Sequence, residues 1–132
     1  MSDRPGQATT ILVAESDVLV RLAIAAYLRD CGYRVIEAAS SEEARAVLAS
    51  EEADVAVVLS AVDLAGAMDG FALAQWVRKE RSGVAVILAG TVEREARQAR
   101  ELCEEGPHLR KPYEPQQVVA WISRLRNTKR EA

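Results

Sequence analysis

Two short stretches of the sequence combine carboxylates with hydroxyls, the side chains that acid–base and nucleophilic chemistry uses. Glu15 and Ser16 follow an apolar run that ends at residue 14, and Ser60 and Asp63 come just after a second run that ends at residue 59. A serine nucleophile needs a base such as a histidine within hydrogen-bonding reach. The single histidine, His108, belongs to another segment, so the sequence does not predict serine catalysis at either stretch.

Short apolar runs alternate with longer segments of helical period, and this alternation predicts five strand–helix units. The runs predict strands at residues 10–14, 33–38, 55–59, 84–88 and 108–110. The periodic segments predict helices at residues 18–31, 40–48, 69–81, 93–104 and from 115 onwards. Asp17, Ser40 and Asp69 stand where three of these helices begin, which predicts that they are N-caps.

The first predicted helix is expected to bury one apolar side, with Arg21 and Arg29 away from it. The residues placed on that side are Val18, Leu19, Leu22, Ala25, Ala26 and Leu28.

Five strand–helix units without an internal repeat predict an α/β fold in which helices cover both faces of a parallel sheet. We expect a flavodoxin-like three-layer sandwich of five strands, in the order 2-1-3-4-5, and five helices. This order places a functional crevice at the carboxyl ends of strands one and three, where the two stretches described above would meet. It also places the helices of Cys31 and Cys103 on opposite faces, which argues against a disulfide.

Length and composition predict one ordinary globular domain. The chain has 132 residues, of which 49% are hydrophobic and 28% charged. We expect residues 1–9 to form an N-terminal extension, residues 10–126 the domain and residues 127–132 a polar tail. A net charge of −3 gives no general attraction to nucleic acid or to an anionic membrane. No signal peptide or membrane span is predicted, so we expect the protein in the cytoplasm.

Three motifs, in order along this pattern, resemble the receiver domain of bacterial two-component response regulators, the CheY-like family. Residues 11–17, ILVAESD, resemble its acidic first loop, and residues 65–70, AGAMDG, resemble its Pro-Gly-x-Met-Asp-Gly loop. Residues 111–113, KPY, resemble its Lys-Pro-aromatic motif after strand five. The resemblance extends from Ile11 to about Leu125.

The resemblance implies a site where a histidine kinase transfers a phosphoryl group to an Asp at the end of strand three. This chemistry uses Mg²⁺, a lysine and a hydroxyl beside the acceptor. In the register of the family's longer loop, the acceptor position falls on Ala61, which cannot be phosphorylated. The acidic pair that binds metal falls on Glu15 and Ser16, so only one carboxylate of the pair remains.

Other positions of the pocket are also changed. The hydroxyl position after strand four falls on Ala89, and the switch aromatic falls on His108. Lys111 is retained, and we expect it to pair with Glu15 or a neighbouring acid. We expect no cofactor, and Mg²⁺ only weakly, if at all, at Glu15 and Asp63.

These changes lie in the pocket, whereas the apolar core pattern is intact. We therefore expect a pseudo-receiver: a stand-alone response-regulator-like protein of phosphorelay signalling that takes no phosphoryl group, is not an enzyme, and acts through protein binding. One alternative is a working receiver with an unorthodox acceptor such as Asp63, although two residues along a strand displace a side chain by about 6–7 Å. A second alternative is a small-ligand-binding flavodoxin-fold module, but no glycine-rich phosphate loop follows strand one.

The resemblance also implies the kind of partner. We expect a histidine kinase or another signalling protein, and a homodimer remains open. The face that receivers commonly use for partners would here include Arg97, Arg100, His108 and Tyr113.

Overall fold

The computed structural model describes residues 9–90, 108–110 and 114–131. The strands in this part of the chain, β1 to β5, are Thr10–Ala14, Arg34–Ala38, Val55–Ala61, Ala85–Gly90 and His108–Arg110. The α-helices described, α1 to α4, are Val18–Asp30, Ser41–Ala49, Gly70–Glu80 and Pro115–Glu131. A short 3-10 turn, Glu51–Ala53, precedes β3. The helix predicted at residues 93–104 lies outside the described residues.

The strands form one parallel sheet in the order β2-β1-β3-β4-β5, which confirms the predicted topology. The central strand β3 is buried over its last five residues, whereas the edge strand β2 has only Ala38 buried. The sequence carries this difference, because a central parallel strand is apolar throughout and an edge strand alternates. β3 is longer than predicted, since it continues through Ser60 and Ala61.

Helices cover both faces of the sheet and create two separate apolar layers. The layer on the side of α2 and α3 has among its fully buried side chains Leu12, Val58, Phe71 and Leu73. The layer on the side of α1 and α4 has among its own Ile11, Leu28, Ile87 and Ile122. Neighbouring residues of β1 thus alternate between the two layers, as the period of a strand requires.

The three predicted N-caps are confirmed. In each, a side-chain oxygen accepts a hydrogen bond from the backbone N–H three residues further on, at 2.9 to 3.2 Å. The capping residues are Asp17, Ser40 and Asp69. Each satisfies one of the amides that the first turn of a helix leaves without a partner.

The prediction of the buried side of α1 was partly wrong. Ala25 and Leu28 are buried as expected, together with Ile24. Four residues predicted to be buried are instead exposed: Val18, Leu19, Leu22 and Ala26. Leu19 is 79% exposed. The helix has two apolar stripes, and helical period alone does not decide which of them packs on the sheet.

Ion pairs fasten α1 to the edge strand β2. The carboxylate of Glu37 lies 3.2 Å from Arg21 Nε and 3.3 Å from Arg29 Nη1. Arg21 also donates from Nη1 to the carbonyl oxygen of Glu15, at 2.9 Å. Arg29 donates from Nη2 to the carbonyl oxygen of Val35, at 3.0 Å. The two arginines therefore hold the backbone of β1 and β2 as well as a carboxylate.

The first residue of α3 has no room for a side chain. A Cβ at Gly70 would collide with the carbonyl oxygen of Ala61 and lie 2.8 Å from the Cα of Val62. We expect Gly70→Ala to lower the free energy of unfolding by about 1–3 kcal/mol in urea denaturation, because the end of β3 would have to shift. Gly83→Ala is the control, since nothing lies within 4 Å of a Cβ there. Equal losses in both variants would contradict this explanation.

Candidate functional site

The carboxyl ends of β1, β3 and β4 meet at one edge of the sheet. The register pairs Ala14 with Ser60, so Glu15 and Ala61 are the next residues along their chains. Ala61 is in turn paired with Ala89 on β4. The structure thus brings together four of the residues predicted for the pocket: Glu15, Ser16, Ala61 and Ala89.

Glu15 is buried at this edge, with 7% of its surface exposed. Its backbone N–H donates to the carbonyl oxygen of Ala38 at 2.9 Å, which continues the pairing of β1 with β2. Its carboxylate Oε2 accepts a hydrogen bond from the backbone N–H of Asp17 at 3.0 Å. Part of the carboxylate is therefore used to shape the turn that leads into α1.

The ends of β3 and β4 carry methyl groups at the positions where the resemblance implies an acceptor Asp and a hydroxyl. Ala61 and Ala89 are 3% and 1% exposed. The hydroxyl of Ser60 is fully buried and donates to the carbonyl oxygen of Ala61, at 3.0 Å. Asp63 lies in the turn beyond β3 and is exposed. Among the described residues, the ends of β3 and β4 therefore place two buried methyl groups beside Glu15.

The hydroxyl of Ser16 joins two loops. It donates to the carbonyl oxygen of Ala39, before α2, at 2.9 Å. It accepts from the backbone N–H of Ala65, in the loop between β3 and α3, at 2.8 Å. A hydroxyl can do both at once, because it carries one proton and two lone pairs.

The first turn of α2 holds the same loop from the other side. Ser41 Oγ accepts from the N–H of Met68 at 3.1 Å, and Glu42 Oε2 accepts from the N–H of Ala67 at 3.0 Å. The N–H of Ser41 donates to the carbonyl oxygen of Ala65 at 2.8 Å. Gly66 has a φ of 114°, and a Cβ there would collide with Ser41 Oγ and Glu42 Oε1. Glycine is therefore required at this close approach.

Sequence reasoning missed the contacts of Ser41 and Glu42 with this loop. It used residues 40–43 only to predict a helix start, which is correct but incomplete. The sequence signals available for these contacts were the polar residues Ser41 and Glu42, directly after the N-cap Ser40, and Gly66 in the loop they contact. Nothing in the local pattern says which loop these side chains reach, because their partners are 25 and 27 residues away.

Some of the predicted site residues fall in the part of the chain that the structure does not describe. Lys111, Arg97, Arg100 and Tyr113 lie outside the described residues, so their roles stay predictions. His108 lies in β5, in register with Leu88 of β4. Within residues 9–90, 108–110 and 114–131, three or more His, Cys, Asp or Glu side chains are nowhere arranged to hold a metal ion. Nor is any helix described there long and apolar enough to cross a bilayer.

The comparisons with known proteins identify the family. The model of the response regulator receiver domain matches residues 11–123. The chain belongs to the response regulator receiver family. Receivers act in two-component signalling, where they interact with histidine kinases and other signalling proteins. They are signalling modules that can accept phosphoryl groups. No curated protein matches the chain at a significant level.

Solved receivers have the same fold. A response regulator receiver domain protein from Clostridium thermocellum superposes with a TM-score of 0.80 at 24% identity, over 92% of this chain and 97% of that one. The chemotaxis response regulator CheY4 of Vibrio cholerae gives 0.74 at 25%, over 89% and 98%. A putative response regulator from Chloroflexus aurantiacus gives 0.75 at 26%, over 89% and 96%. These similarities confirm the flavodoxin-like fold of this receiver.

The receiver's stability should respond to the ionisation of Glu42. The hydrogen bond from the Ala67 N–H stabilises the carboxylate, which lowers the pKa of Glu42 below its ordinary 4.5. A lowered pKa stabilises the fold above the unfolded-state pKa, and this contribution is lost as the pH falls through the folded-state pKa. We therefore expect Glu42→Gln to lose less stability than the wild type on acidification.

The measurement is urea denaturation at neutral pH and at steps below pH 4.5. Glu52→Gln, with the same charge change in the exposed 3-10 turn, is the control and should follow the wild-type curve. If Glu42→Gln and the wild type lost stability in parallel, the bond to Ala67 would have no role in the acid response.

Proposed function

We propose that this receiver takes no phosphoryl group and signals through protein binding in one standing conformation. The observation that carries the proposal is the methyl group of Ala61 at the buried end of β3, the position where the family resemblance expects the acceptor Asp. A methyl group has no lone pair with which to attack phosphorus, so the transfer lacks its nucleophile.

The surroundings of Ala61 support the same proposal. Mg²⁺ prefers an octahedral shell of oxygen ligands with one or two carboxylates. Of the predicted acidic pair, only Glu15 is a carboxylate. It already accepts a hydrogen bond from the backbone N–H of Asp17. Ser16 supplies a neutral hydroxyl that is engaged with two backbone groups. Metal binding at this edge would therefore be weak.

Ala89 offers no hydroxyl to hydrogen-bond a phosphoryl group at this edge. A transferred phosphoryl group carries negative charge on its oxygens, and hydrogen-bond donors around it stabilise that charge. Ala89 is 1% exposed and is paired in the sheet with Ala61. Two adjacent buried methyl groups would desolvate a phosphoryl group without offering it a donor.

Asp63 is the alternative acceptor, and its position argues against it. It lies beyond the end of β3, where its side chain is exposed, and Ala61 occupies the buried end of the strand. A phosphoryl group on Asp63 would be displaced by about two residues from the edge formed by Glu15 and Ala89. If the wild type were phosphorylated, Asp63 would be the first acceptor to test.

The partner in this proposal is another signalling protein, such as a histidine kinase. The surface would include Arg97, Arg100, His108 and Tyr113, which family members commonly place at partner contacts. A second copy of the chain could occupy the same surface. Binding would not need to await phosphorylation, because the proposal assigns the receiver one conformation.

Intact-mass spectrometry tests the chemistry without knowledge of the kinase. We expect no phosphoryl adduct after incubation of the folded receiver with acetyl phosphate and Mg²⁺, because the acceptor position is Ala61. The Asp63→Asn variant is measured beside the wild type. A single adduct in the wild type that disappears in Asp63→Asn would replace this proposal with an unorthodox acceptor.

A carboxylate introduced at position 61 should show whether the pocket can still bind Mg²⁺. We expect Ala61→Asp to lower the free energy of unfolding by about 3 kcal/mol in metal-free buffer, because it buries a second carboxylate beside Glu15. Mg²⁺ should recover part of this loss by neutralising the pair. Urea denaturation with Mg²⁺ and with EDTA measures both effects.

Ala61→Asn is the matched control, since it has nearly the same shape without the charge. Its stability should not depend on Mg²⁺. If Ala61→Asp were as stable as the wild type and indifferent to Mg²⁺, Ala61 would not lie at the acceptor position of the pocket.

A further inference from the structure

The loop between β3 and α3, residues 62–69, is held by side chains from elsewhere in the chain. Its amides at Ala65, Ala67 and Met68 donate to side-chain oxygens at 2.8, 3.0 and 3.1 Å. Two of these oxygens belong to the first turn of α2, and the third is the hydroxyl of Ser16 at the end of β1. The loop thus satisfies its backbone by contacts across the carboxyl edge of the sheet.

Ser16 is the one member of this set that lies on the β1 side. Ser41 and Glu42 both belong to α2, so their bonds fix the loop against a single helix. The Ser16 hydroxyl instead connects the end of β1 to Ala65 and, through the Ala39 carbonyl, to the segment before α2. Three segments that are distant in sequence therefore converge on one oxygen atom.

The chemical type of the side chain at position 16 matters for this connection. A carboxylate accepts hydrogen bonds but donates none. At this position it would face the carbonyl oxygen of Ala39, and two acceptors without a proton between them repel each other. A cation could relieve that repulsion, whereas serine needs none, because its own proton lies between the two oxygens.

We propose that Ser16 is a positioning residue whose hydroxyl holds the β3–α3 loop in place without a metal ion. This deepens the proposed function, and rests on it, by giving a physical cause for one standing conformation. The resemblance puts a metal-binding carboxylate at this position in other receivers. Here a neutral hydrogen-bonded link joins the same loops, so their arrangement does not change when divalent cation is added or removed.

Amide hydrogen exchange measured by NMR tests the role of Ser16 directly. We expect Ser16→Ala to speed exchange of the Ala65 amide about five- to tenfold, the effect of losing one hydrogen bond. Amides inside β1 and β3 should be unaffected. Ser16→Thr keeps the hydroxyl and should restore slow exchange, and Ser50→Ala, at an exposed serine whose side chain makes no cap bond, should change nothing.

The metal independence is tested on the wild type in the same experiment. Exchange at Ala65 should be equal in excess Mg²⁺ and in EDTA. Unchanged exchange at Ala65 in Ser16→Ala, or clear slowing by Mg²⁺ in the wild type, would overturn the proposal. The Mg²⁺ comparison and Ser16→Thr still decide it if Ser16→Ala fails to fold.

The two proposals fail in distinguishable ways. A phosphoryl adduct on the wild type would overturn the proposed function while leaving the link from Ser16 to Ala65 intact. Fast exchange of Ala65 in the wild type would overturn the role of Ser16 without making Ala61 an acceptor.

Discussion

The parallel pairing of β1 with β3 is the constraint on which the candidate site depends. This pairing brings residues 15 and 16 beside residue 61, although more than forty positions separate them in the chain. A parallel pair is stable here only because both of its faces are covered. The two apolar layers therefore do more than stabilise the receiver, since they fix where the loops at its carboxyl edge begin.

The loop between β3 and α3 is ordered by polar groups as well as by apolar contacts. Ser16, Ser41 and Glu42 accept hydrogen bonds from the loop after β3, and the backbone of Ser41 donates one in return. Val62 and Leu64 of that loop are buried in the apolar layer on the side of α2 and α3, whereas residues 65–67 are small and exposed and offer little apolar surface for packing. For residues 65–67, side-chain acceptors at fixed helix and strand ends supply the order that packing does not. In the proposed function, an edge with methyl and hydroxyl groups in place of carboxylates would be structured in this way without a bound ion.

Much of the fold could be predicted from the sequence because its signals are local. Apolar runs, N-caps and the order of the units were sufficient for the sheet topology and for the starts of α1, α2 and α3. The buried side of α1 could not be predicted, because both of its stripes are apolar and the choice depends on how the helix sits on the sheet. The end of β3 was placed two residues early, because Ser60 interrupts an apolar run although it is fully buried.

For the candidate site, the sequence predicted where the residues lie but not which hydrogen bonds they make. The family motifs brought Glu15, Ser16, Ala61 and Ala89 to one edge, and the register of the strands agrees with that placement. The hydrogen bonds of Ser16 were not predictable, since a serine in a polar loop has many partners within reach. Those bonds connect residues 23 and 49 positions apart, and they exist only after the sheet has formed.

The ion pairs of α1 have a consequence for how the receiver meets other chains. β2 is an edge strand, and the backbone groups of alternate residues point away from β1. Arg34 donates its N–H to Thr9 on the β1 side, so the carbonyl of Val35 points to the open edge, where Arg29 covers it. A foreign strand that paired with this carbonyl would have to displace the guanidinium of Arg29 from it. Arg29 therefore opposes extension of the sheet at the β2 edge, and with it the aggregation that such extension causes.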